Sequence, residues 1–190
     1  LLSAGRFLGL NTILCAKVLG AAFSLGVLVL TAAMHRVVPG ADRRTSSIAT
    51  LTLGTCGIFT AWAMSGMEVA LVAFWSVLAV YLHFMSVGEA GKSRWAVLSG
   101  VCCALAAMSR PEAGLVFGTL FLSRLWDDWR RRRLSFLYFG AVFVMIYAPY
   151  FAWRYWYYGW LLPNTFYVKV GSNWEQAVRG YNYVARFLTV

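Results

Sequence analysis

The hydrocarbon layer of a bilayer is about 30 Å thick and takes about 20 helical residues to cross. Apolar runs near that length make up most of this chain. They lie at about 11–34, 46–64, 69–86, 95–109, 112–125 and 135–152. Backbone N–H and C=O groups find no water in lipid and must bond within their own segment, so runs of this kind are helical. The expected fold class is therefore all-α: a polytopic transmembrane helical bundle of about six membrane segments, followed by an outer interfacial segment.

Composition agrees. The chain is 61% hydrophobic and 13% charged, with a mean hydropathy of +0.65, which excludes an ordinary soluble domain. A net charge of +10 raises nucleic acid as a partner, but the cations sit in short clusters between apolar runs, as in membrane proteins that fix their orientation by charge. No nucleic-acid partner is expected. Cys15, Cys56, Cys102 and Cys103 fall inside apolar runs without the paired spacing of a zinc site. They read as small buried hydrophobes. The first residue is Leu1 and the closing RFLTV stops in mid-pattern, so a fragment cut at both ends is expected. A transmembrane region over 1–152 and a non-cytoplasmic loop with an interfacial helix over 153–190 describe its organisation.

Three connections carry most of the cations: His35 to Arg44, Gly88 to Arg94, and Arg124 to Arg133. The positive-inside rule places them in the cytoplasm. If each segment crosses once, Ser65 to Glu68, Arg110 to Glu112 and everything from Arg154 onward face the other side. A single kinked helix over 95–123 would span about 44 Å and reverse the last assignments. Pro111 favours two short helices instead, because its ring and missing N–H interrupt a helix. Beyond Gly171, Trp174, Ala177, Val178, Tyr181, Val184 and Phe187 recur near helical spacing. That segment is an interfacial helix leading to a further span, or the first turns of that span.

Candidate chemistry gathers on the outer side. Glu68, in SGMEV, enters an apolar helix, where an unpaired carboxylate is costly; it faces a partner or cavity, or completes a capping box with Ser65 as N-cap. Arg110, in SRPE with Glu112, offers a fork of donors suited to a phosphate. Its alternative is an ion pair with Glu112 or Glu68 that holds helices together. The third cluster is YYGWLLPNTFYVKVG, Tyr157 to Gly171, whose aromatic faces suit sugar rings and whose Lys169 suits a phosphate. Tyr158, Asn164, Tyr167 and Lys169 are its candidate substrate-binding residues. Lys17 reads as a snorkelling cation, and His35 and His83 receive no catalytic role. No metal ligand and no cofactor are expected.

The order SGME, SRPE and YYGWLLPNTFYVKVG resembles bacterial GT-C membrane glycosyltransferases, most of all the polyprenyl-phosphate-sugar enzymes that include terminal arabinofuranosyltransferases and mannosyltransferase-like families. The resemblance covers about 11–190. It implies a multi-pass enzyme of the bacterial inner (plasma) membrane that moves a sugar from a polyprenyl-phosphate carrier to a glycan or lipid acceptor on the non-cytoplasmic face. It also implies that Glu68, Arg110, Glu112, Asn164 and Lys169 line the donor or acceptor pocket. Such enzymes place a catalytic carboxylate in the first outer loop after the first helix. This chain has none there, so the general base is expected upstream of Leu1 and the fragment by itself is expected to be inactive. A transporter or flippase of lipid-linked sugars and a non-catalytic membrane subunit are the alternatives.

Overall fold

The computed structural model describes residues 11–66, 68–88, 93–131, 134–161 and 174–188. Among the described residues every regular element is a helix. The chain divides into two compact units, residues 1–150 and 151–190.

The first helix, α1 (Thr12–Ala33), starts where the Asn11 side chain accepts from the backbone N–H groups of Ile13 and Leu14 at 3.0 and 3.3 Å, satisfying donors that have no partner inside the helix. A 3-10 turn, Met34–Arg36, follows it. Asp42 then caps α2 (Arg43–Thr55), its Oδ1 accepting from Thr45 N at 2.7 Å. The apolar run read as one segment over 46–64 is in fact bent by 63°. It breaks at Cys56, whose backbone is extended, and continues as α3 (Gly57–Met64). Threonine hydroxyls satisfy carbonyls around the bend: Thr55 donates to Leu51 O and Thr60 to Cys56 O and Gly57 O, a bonding mode that favours bent helices.

The core is built on α4 (Val69–Gly88) and α5 (Ser93–Ser109), which pack together more extensively than any other described pair. The buried residues of α5 are Ala96, Ser99, Gly100, Cys102, Cys103, Ala104, Ala106 and Ala107. Small side chains let helix backbones approach closely, which is how helices associate when lipid removes the hydrophobic drive between them. Ser99 Oγ donates to Ala79 O of α4 at 2.8 Å. On another face, a Cβ at Gly100 would stand 2.7 Å from Phe139 O.

Pro111 ends α5 as its chemistry predicts. Arg110 is extended, Pro111–Ala113 form a 3-10 turn, and α6 (Gly114–Arg131) then begins. The single kinked helix over 95–123 is not formed. Phe117 of α6 stacks on Phe139 and Phe143 of α7 (Ser135–Tyr158), with centroids 5.1 and 3.7 Å away.

The six apolar segments are not six spans. Three helices are long and apolar enough to cross a membrane, over Thr12–Arg36, Val69–Val87 and Ser135–Tyr158, and the bent pair makes a fourth if it is one span. With 17 residues, α5 is apolar but short. In α6 the second half carries Arg124, Asp127, Asp128 and Arg130, which removes the continuous apolar window. The expected cytoplasmic connection Arg124 to Arg133 is accordingly helix as far as Arg131, because no Gly or Pro interrupts it. The cysteines also differ from expectation. Cys102 and Cys103 are buried, Cys15 is half-buried and Cys56 is exposed at the bend.

In the second unit, the end of α7 is marked by Gly159 at φ 71°, whose N–H donates to Tyr155 O at 2.8 Å, a left-handed cap suited to glycine. Arg154 donates to Leu161 O. The last helix, α8 (Trp174–Leu188), covers the segment read as interfacial.

Candidate functional site

Two of the sequence-designated residues meet. Arg110 Nε donates to Glu68 Oε1 at 3.0 Å, with both side chains somewhat under half exposed. Local backbone chemistry presents each of them. Arg110 closes α5 through its N–H to Ala106 O and is then forced extended by the following proline. Glu68 stands immediately before α4, and its carbonyl accepts from Val72 N at 3.0 Å. Ser65, read as a possible N-cap, stands at the C-cap of α3, where its hydroxyl donates to Trp62 O. The bond from its own backbone N–H, and then the one from Arg110, hold the Glu68 carboxyl below the usual carboxylate range.

Among the described residues Arg110 uses one side-chain nitrogen, and its two terminal amino groups have no partner. Glu112 is exposed and does not join the pair. The pairing thus selects Glu68 from the two carboxylates open to Arg110 in the sequence.

The loop that carries Glu68 also walls a cavity of about 250 Å³, lined by Thr12, Ile13, Ala16, Lys17, Ser65 and Gly66. Gly66 has φ 70°, a conformation that glycine adopts at little cost. A Cβ on it would lie 3.2 Å from the Ala16 Cβ, so the turn rests directly on α1. Lys17, read as a snorkelling cation, here faces a defined cavity.

Of the aromatic stretch, Tyr158 is described. It is exposed, and its ring meets that of Tyr157 edge-on at 4.8 Å. Trp153 stacks on Tyr157 at 5.9 Å. Asn164, Tyr167 and Lys169 lie outside the described residues.

One polar cluster was not anticipated from the sequence. His83, Arg124 and Asp128 are 3%, 1% and 5% exposed. Arg124 Nη2 lies 3.1 Å from His83 Nδ1 and Nη1 lies 3.5 Å from Ser135 Oγ. Ser135 Oγ and Phe136 N both donate to Asp128 Oδ2 at 2.7 Å. Arginine only donates, so His83 accepts at Nδ1 and is neutral in this arrangement. Asp128 meanwhile caps the start of α7. The signal available in the sequence was the four-residue spacing of Arg124 and Asp128, which puts both on one helix face.

Compared with models of known families, with curated proteins and with solved structures, the chain matches none.

Proposed function

We propose that the chain is the membrane core of a glycosyltransferase that moves a sugar from a polyprenyl-phosphate carrier to a cell-envelope acceptor at the non-cytoplasmic face of a bacterial plasma membrane. The supporting observation is the Glu68–Arg110 pair, formed between two helix-end loops and left partly open. Among the described residues Arg110 is held by one side-chain nitrogen and its two terminal amino groups have no partner, the arrangement a phosphate leaving group calls for.

In this reading the acceptor oxygen bonds to the anomeric carbon as the bond from that carbon to the carrier phosphate breaks. The acceptor proton passes to a carboxylate base, and the phosphate leaves with the bonding electrons. Arg110 stabilises the charge that grows on it, and Glu68 fixes the guanidinium plane. Glu112, exposed and without an ion pair among the described residues, is available to sugar hydroxyls.

A carrier moving lipid-linked sugars across the bilayer would need polar groups throughout its depth. Between the Glu68–Arg110 pair and the His83–Arg124 cluster, α4 and α5 bury mainly small apolar side chains such as Ala79, Cys103, Ala104 and Ala107, with Ser99 bonded to Ala79 O, and the ionisable groups stand at the two ends, which favours transfer at one face.

The test is transfer from a polyprenyl-phosphate-linked sugar by membranes containing the full protein. Arg110→Ala should lower kcat/KM by about 100-fold at unchanged abundance, and Arg110→Lys should recover part of it. Transfer that survives Arg110→Ala, or that falls only in step with protein abundance, would overturn the reading.

A further inference from the structure

We propose that the cavity between the start of α1 and the Ser65–Gly66 turn holds the phosphate-bearing headgroup of a lipid, with Lys17 as its cation and the lipid tail along α1. This deepens the reading above by giving a lipid phosphate an anchor, and it rests on that reading only for what the lipid carries.

Lys17 is the sixth residue of a 22-residue apolar helix. An ammonium at that depth is costly unless it is solvated or paired. Among the described residues it has no hydrogen bond or ion pair, and the acid on the facing loop, Glu68, is taken by Arg110. Among the described residues of the lining, Lys17 alone is ionisable, which makes that part of the wall positive. Thr12 adds a hydroxyl to the lining. A compact cation with a hydroxyl beside it suits a phosphate oxygen.

Size and surroundings identify the carrier of that phosphate. About 250 Å³ is below the usual range for enclosing a whole drug-sized ligand, and it suits a headgroup alone. Leu14, Val18, Leu25 and Val29 are all more than half exposed. Their spacings of four, seven and four put them in one stripe of α1. Lys17 stands beside the upper end of that stripe, where head meets tail.

The probes are phosphatidic acid, diacylglycerol with the same tails, and inorganic phosphate, applied to full-length protein in detergent micelles. Bound molecules are counted by native mass spectrometry. The wild type should retain phosphatidic acid at least about tenfold over diacylglycerol. Lys17→Gln should lose about tenfold of that retention, Lys17→Arg should keep most of it, and Thr12→Val should lose a smaller part. Equal retention by Lys17→Gln and wild type overturns the proposal. So does binding of inorganic phosphate that displaces the lipid, which would make this a free-phosphate site. An unchanged thermal midpoint for Lys17→Gln separates lost binding from lost folding. Because binding is read without transfer, inactivity toward polyprenyl-phosphate sugars overturns the transferase reading alone.

Discussion

Arg110 and Arg124 carry the same charge and occupy opposite physical situations. At Glu68–Arg110 the charges are nearly half exposed, so the pair is worth less than about 1 kcal/mol and weakens with salt. Glu68 has a folded-state pKa below the ordinary glutamate value. Its contribution is therefore complete above that value and is lost as pH falls through the lower folded one. Thermal unfolding midpoints of wild type and Glu68→Gln should differ slightly above about pH 5 and converge in acid. Arg124, by contrast, is 1% exposed and holds partners on two other helices. Removing one member of such a buried network costs about 3 to 5 kcal/mol. Arg124→Ala should lower the thermal midpoint sharply, whereas exposed Arg130→Gln should change stability by less than about 0.5 kcal/mol.

At the scale of elements, α5 and α6 show two ways of departing from the uniformly apolar membrane helix. The first is lined with Ala, Ser, Gly and Cys because neighbouring backbones come close to it. Gly100→Ala puts a methyl group 2.7 Å from Phe139 O, which is backbone and cannot swing aside, so a loss of about 1 to 3 kcal/mol is expected. Gly118→Ala in α6 meets open space and should stabilise by about 0.5 to 1 kcal/mol. Both are read by thermal unfolding in one detergent. The second helix turns its charges inward. Arg124 and Asp128 are buried while Leu115, Leu122, Trp126 and Trp129 are exposed, the reverse of a soluble amphipathic helix. Trp126 and Trp129 suit the membrane interface, and Arg130 lies over the Trp126 ring at 4.6 Å.

Across the first unit as a whole, the Glu68–Arg110 bond requires α4 and α5 to form a return pair whose free ends meet. His83 is 15 residues into α4 from Glu68, about 22 Å along its axis, so the two polar clusters mark opposite ends of that pair. In the proposed orientation the cationic connections face the cytoplasm. Impermeant maleimide should then label Glu112→Cys from outside intact cells. Arg43→Cys, in the same background with Cys15 and Cys56 replaced by alanine, should label only after permeabilisation. The opposite pattern would invert the orientation and remove the outer-face assignment of Glu68 and Arg110.

Helix type and the break at Pro111 were legible in the chain because each is local. A run of apolar residues in lipid has no alternative to helix, and proline interrupts a helix wherever it lies. The bend at Cys56 was less legible, since its threonine bonds leave the apolar run unbroken. Glu68, Arg110 and Lys17 were each visible as charges at a helix end, and the sequence left open whether Arg110 pairs with Glu68 or with Glu112. Arg110 bonds across 42 positions and Arg124 reaches His83 across 41, separations that no spacing rule encodes. Only tertiary packing decided that Arg110 takes Glu68 rather than Glu112 and that Lys17 faces the Ser65–Gly66 turn across a cavity. Those outcomes depend on which surfaces close-packed helices bring within bonding distance.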